Sequence, residues 1–184
     1  PERFLPRQSG AGRIGSTREV GAMAVDGTRD RDGAGRPRNA RPRDELGRPL
    51  PHGVPGVATT PDDLRLPPDR ALAEAQRLLA AGRPFHAHEV LEGTWKAAPE
   101  GERELWRGLA QLAVGITHLR RGNPVGATGL LRRAADRIEA YADRPPHRID
   151  AAGLTSWART LVARIERDGP DAVPDTALTP RLIG

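Results

Sequence analysis

The chain has no cysteine, one methionine, one tyrosine and an aromatic content of only 3% in 184 residues. Without cysteine there is no disulfide framework, no thiolate nucleophile, no iron–sulfur cluster and no zinc site of the thiolate type. A bound metal would have to sit on histidine, carboxylate or amide ligands. Long apolar runs are also lacking: no stretch approaches the roughly 18 apolar residues of a membrane helix. The first 25 or so residues have no continuous apolar segment of signal-peptide kind. The expectation is a soluble, cytoplasmic protein without membrane contact.

Charge of one sign is not concentrated either. The 29 basic residues exceed the 24 acidic ones by a net +5, and all but Lys96 are arginine. That raises the isoelectric point without making either half of the chain a polycation, so the numbers do not require a nucleic-acid partner. Within the N-terminal segment, Arg36-Pro37-Arg38-Asn39-Ala40-Arg41-Pro42-Arg43 is an Arg/Pro run suited to phosphate, but Asp44 and Glu45 follow at once and favour a solvated linker.

What is present in quantity over residues 1–62 is Gly, Pro and Arg, with no period that could bury a face. Such a segment cannot offset the entropy of ordering it, so a disordered tail is expected there. Met23 is the sole methionine, and residues 1–22 are expected to lie upstream of the native start.

From Pro67 the character changes, and a helical domain is expected over residues 67–169, followed by a C-terminal tail over 170–184. Five helices are marked by apolar spacing and punctuation. The first runs from about Asp69 to Ala81, with Leu72 and Leu79 on one face and Gly82 as its stop. The second has Pro84 in its first turn and reaches about Ala97 before Pro99. The third, about Glu102 to Arg121, has acids in its first turn and arginines in its last. It carries Leu105, Leu109, Leu112, Ile116 and Leu119 as a buried stripe. The fourth takes Asn123 as N-cap, with Ala127, Leu131, Ala134, Ile138 and Tyr141 along its face. The fifth follows Asp150 through Leu154, Trp157, Leu161 and Ile165 to Gly169-Pro170. No segment alternates as a strand. Short links make neighbours antiparallel, so the fold class is all-α, an antiparallel bundle or stacked helical hairpins. The helix starts have no constant spacing, which argues against a repeat array.

Several polar residues fall on apolar faces. In the second helix His88, Glu92 and Trp95 recur at i, i+4 and i+7, placing an imidazole and a carboxylate one above the other, with Glu89 beside them. In the third, Gly108, Gln111, Gly115 and His118 share one face. Its two glycines each cost roughly 1 kcal/mol of helix propensity, which suits the close approach of another backbone or a ligand.

If those two helices pack antiparallel, His88, Glu92, Gln111 and His118 cluster at their interface. Two imidazoles with one or two carboxylates suit zinc, manganese, iron or nickel. The ligand set would be His88, Glu92 and His118, with Glu89 moving a proton and Gln111 orienting water or substrate in a metal-assisted hydrolysis. The other reading is a buried polar network that fixes helix register without chemistry. The pattern is neither His-Glu-x-x-His nor the Glu-x-x-His of di-iron bundles. His86, two positions from His88, is expected on an exposed face, and His52 and His147 in Pro-rich connections. Trp95, Trp106 and Trp157 are expected as core anchors. Arg120, Arg121, Arg132 and Arg133 form a basic rim around the turn between the third and fourth helices.

Taken together, the string Phe85-x-x-His88-Glu89-x-x-Glu92-x-x-Trp95, then Gly108-Leu109-x-Gln111-Leu112-Ala113-Val114, His118, Arg121-Gly122-Asn123-x-x-Gly126-Ala127 and Leu130-Leu131 resembles the domain-of-unknown-function 309 family. The resemblance covers about residues 68–141, with Gly93 and Arg107 departing from the family pattern. It implies a compact all-α fold of bacterial and archaeal type and places the His-Glu-x-x-Glu signature on His88, Glu89 and Glu92. It also implies the label of a predicted metal-dependent hydrolase using a divalent ion. Two functions therefore stand side by side: a metal-dependent hydrolase acting on a small molecule, and a helical module binding a protein partner, either of them open to homodimer assembly.

Overall fold

A computed structural model describes residues 41–57 and 66–184, so expectations for residues 1–40 and 58–65 lie outside the described residues. Five helices follow in order: α1 (Pro68–Ala80), α2 (Pro84–Ala97), α3 (Glu100–Arg120), α4 (Pro124–Glu139) and α5 (Ala151–Asp168). Short 3₁₀ turns cover Pro146–Arg148, Pro170–Ala172 and Asp175–Leu178. Among the described residues there is no strand, only isolated bridges such as Arg43 with Pro49 and Ile149 with Ile183.

The helix ends follow from local chemistry. Gly82 and Gly122 adopt φ of +72° and +75°, the left-handed conformation that only glycine takes without strain. Each closes a Schellman turn: Arg83 N–H donates to the Leu78 carbonyl at 2.8 Å, and Asn123 N–H to the His118 carbonyl at 2.9 Å. A proline at the first position then starts α2 and α4, where its missing N–H is not needed. Asn123 Oδ1 caps α4 by accepting from Gly126 N–H at 2.9 Å, and Asp150 Oδ1 caps α5 by accepting from Gly153 N–H at the same distance.

The main helix contacts join chain neighbours, α1 with α2, α2 with α3, α3 with α4 and α4 with α5, as stacked antiparallel hairpins require. The expected stripe of α3 is buried, and Trp106 is fully enclosed beside it. Trp95 and Trp157 are partly buried against the same core. Gly108 and Gly115 let α4 approach: a Cβ on Gly108 would lie 2.8 Å from Ile138 Cγ1, and one on Gly115 2.9 Å from Leu131 Cγ. Of the two reasons considered for these glycines, the close neighbour is a helix.

Residues 170–184, expected as a tail, return to the core. Leu178 and Leu182 are buried. Gln76 of α1 clamps the segment, its amide donating to the Pro180 carbonyl at 3.1 Å and its oxygen accepting from Leu182 N–H at 2.8 Å. Two leucines without helical or strand spacing carry no periodic signal, which is why the sequence reading found no element there.

Residues 41–57 lie within the stretch expected as a tail. They form a strap built on a turn in which Asp44 Oδ1 accepts from Leu46 N–H at 3.0 Å and Arg48 N–H at 2.7 Å. Gly47, at φ +73°, lies against the Phe85 ring of α2, and a Cβ there would overlap it. Three of the four rim arginines are engaged. Arg120 donates to the Gly82 carbonyl at 3.3 Å and pairs with Asp175 at 3.1 Å, Arg121 donates to the Leu46 carbonyl, and Arg132 pairs with Glu166 at 2.5 Å.

Candidate functional site

The 3.6-residue period of α2 stacks His88 over Glu92, with Nε2 to Oε2 at 3.7 Å. One further turn on, Lys96 Nζ takes the other carboxylate oxygen at 3.1 Å. The His88 Nδ1 atom is buried without a hydrogen-bond partner. Burial pushes His88 below the ordinary histidine range and the Lys96 ammonium works the same way, while the Glu92 carboxylate pulls against them. Glu89 is partly buried on the same turn.

The third-helix candidates point elsewhere. Gln111 Oε1 accepts from Arg137 of α4 at 3.2 Å, and Arg137 Nε reaches Glu104 of α3 at 2.7 Å. His118 Nδ1 lies 3.0 Å from the Asn123 amide nitrogen. Because Asn123 Oδ1 is taken by Gly126 N–H, its amide nitrogen must face the ring and donate to Nδ1. The neutral ring then carries its proton on Nε2, which leaves no lone pair for an ion. Burial, followed by the Arg121 charge, lowers the pKa of His118, which works in favour of the neutral ring.

His88 and Glu92 are thus brought together, whereas Gln111 and His118 are drawn to α4 by the face that carries Gly108 and Gly115. Among the described residues no three of His, Asp and Glu converge as a metal site would need. Two protein donors fall short of the three that catalytic zinc sites use.

His86 departs from its expected exposed position, being only 2% exposed. The strap over Phe85 and His86 covers it, a long-range contact that helical spacing does not encode. Burial first, then the Arg83 charge, lowers its pKa, against the pull of the Asp44 charge and of the Glu45 backbone and carboxylate on the strap.

A second polar group escaped the sequence reading. Glu102 Oε2 accepts from the Trp106 indole at 3.1 Å and pairs with His147 Nε2 at 2.8 Å, and the His147 ring packs 5.8 Å from that of Trp106. His147 and Arg148 hold φ of 55° and 58°, a left-handed conformation uncommon for residues other than glycine. The Glu102 to Trp106 spacing of four was available in the sequence. The arrival of His147 from the link between α4 and α5 was not.

The model of the family described as "Domain of unknown function (DUF309)" matches residues 72–130. The chain is also 40% identical over 57 residues to the uncharacterized protein YpuF of Bacillus subtilis (strain 168), an alignment covering 30% of this chain and 33% of that protein. The chain therefore spans about a third of the length of the curated relative it matches. No solved structure matches it. No helix among the described residues is long and apolar enough to cross a membrane. The matched stretch runs from α1 into α4 and contains His88, Glu89, Glu92, Gln111 and His118, so the helices that carry the candidate site are the part of the chain that is similar to the DUF309 family.

Proposed function

We propose that this chain is a helical interaction module, in which the polar residues of the signature hold helices to one another and a face of the hairpins receives a peptide partner. The observation that carries this reading is the hydrogen bond between His118 and Asn123 at 3.0 Å, which commits the third expected ligand to the cap of α4. Gln111 is engaged in the same way by Arg137, and Glu92 by Lys96. The first two contacts tie α3 to α4, which is what a scaffold needs, while the Lys96 pair lies within α2 and occupies one oxygen of the Glu92 carboxylate.

A second reading, a metal-dependent hydrolase, is supported by one feature: the buried His88 Nδ1 has no partner beside a carboxylate one turn away. His88 and Glu92 would be two of its ligands. Because the donors at hand stop at two, no catalytic step is derived through an ion.

The deciding experiment is elemental mass spectrometry on protein purified without a histidine tag, beside a His88→Ala variant. The module reading expects metal far below one ion per chain, unchanged by the substitution. Near-stoichiometric zinc, manganese, iron or nickel that His88→Ala loses would overturn it in favour of the hydrolase.

A further inference from the structure

Arg121, at the end of α3, donates from Nε to the Leu46 carbonyl at 2.9 Å and adds a second bond from Nη2. Its guanidinium carbon is 5.7 Å from the centroid of Phe85, and that of Arg43 on the strap is 5.4 Å away, both within cation–π range. Arg43 also donates to the Gly47 carbonyl at 2.6 Å, holding the turn closed while Gly47 lies on the ring. The domain thus grips the strap by a carbonyl, a glycine face and a guanidinium. These features belong to a short linear segment rather than to an apolar core, and linear-peptide recognition uses the same means.

Beneath the strap, His86 is 2% exposed, with the Glu45 backbone of the strap acting on its ring. The two sides of the contact also differ in origin. Phe85, His86 and Arg121 lie inside the stretch matched by the family model, residues 72–130, and the strap lies outside it.

We propose that Phe85, His86 and Arg121 form a peptide-docking site of the domain, filled here in cis by residues 41–57. The site fits a partner segment with the chemistry of Arg43-Asp44-Glu45-Leu46-Gly47-Arg48: an arginine for the ring, an acidic turn, and a glycine where the backbone meets Phe85. The inference rests on the interaction-module reading and names the kind of partner. In this arrangement the strap competes with the partner, and binding requires that it lift.

The test uses the full chain with Gly47→Val, whose side chain has no room against Phe85 and whose backbone disfavours φ +73°. A fluorescein-labelled peptide of residues 41–57 is titrated into this variant, into the wild type and into a Gly47→Val/Arg121→Ala double variant. Expected is saturable binding to Gly47→Val and binding weaker by about tenfold or more to the wild type, because a tethered competitor acts at high effective concentration. The double variant should not bind. Hydrogen exchange at the Leu46, Gly47 and Arg48 amides should rise in Gly47→Val, with helical circular dichroism retained.

Equal binding to wild type and Gly47→Val, or no binding to a Gly47→Val chain whose strap amides exchange freely, would overturn the proposal. Arg121→Ala alone provides a check that does not depend on the valine: the same amides should exchange faster by about tenfold, since each rests on the turn that Arg121 holds. Unchanged exchange there would also overturn it. Peptide binding by a chain carrying stoichiometric metal would leave this site standing while removing the non-catalytic reading, so the two failures are separable.

Discussion

Gly115 of α3 and Leu131 of α4 meet where a methyl group has no room. A Cβ on Gly115 would lie 2.9 Å from Leu131 Cγ and 3.4 Å from the Ala127 carbonyl oxygen. Leu131 is fully buried and cannot swing aside. Gly115→Ala should therefore destabilise the fold, because an overpacking cost of about 1–3 kcal/mol exceeds the roughly 1 kcal/mol gained in helix propensity. Gly101→Ala, at an exposed position in the first turn of the same helix with nothing within 4 Å of the added carbon, should stabilise it. Chemical denaturation of the two variants compares them directly, and a Gly115→Ala protein as stable as Gly101→Ala would show that α4 does not need the glycine.

The pairing of His118 with Asn123 makes a separate prediction. Asn123→Ala removes the cap of α4 and should cost about 1 kcal/mol. His118→Ala should cost a similar amount through the lost hydrogen bond, about 0.5–1.5 kcal/mol. Because the two side chains share one contact at 3.0 Å, the double variant should cost less than the sum, by roughly 0.5–1 kcal/mol. Strict additivity in urea unfolding would separate His118 from the cap.

Acid should weaken the fold through Glu102. Burial works to raise the pKa of this carboxylate, but the hydrogen bonds from His147 and Trp106, with the His147 charge, outweigh it and hold it below the usual range. A carboxylate depressed in the folded state contributes stability above its unfolded pKa and loses it as pH falls through the folded one. Glu102→Gln should then be less stable than the wild type at neutral pH by about 1 kcal/mol, the figure reduced because the side chain is 26% exposed. The gap should close as the carboxylate protonates. Urea titrations of both proteins at neutral pH and again near pH 3 measure it, and a gap of equal size at the acid end would remove the carboxylate charge from the account.

The helices and their ends were readable from the residues themselves. The Leu105 to Leu119 stripe, Gly82 as a stop, Pro84 as a start and the Asn123 cap all act within one or two turns of chain. The start of α3 shifted from Glu102 to Glu100, an ordinary margin for a helix end preceded by proline. Of the candidate site, the His88 to Glu92 stacking followed from helical spacing and is present.

The remaining contacts depend on how a helix is rotated about its axis or on distant chain. Gln111 and His118 share a face with Gly108 and Gly115, and that face turned to α4 because only there could two backbones come close enough to fill the space the glycines leave. His86 was expected in solvent until the strap from residues 41–57 covered it, and Leu182 joined the core through Gln76, more than a hundred residues earlier in the chain. The sequence by itself determined the all-α class, the helix boundaries and the apolar stripes, because these depend on backbone propensity, capping and periodicity within a few residues. Only the tertiary structure decided which neighbour each polar side chain meets, because that partner is selected by packing between segments far apart in the chain.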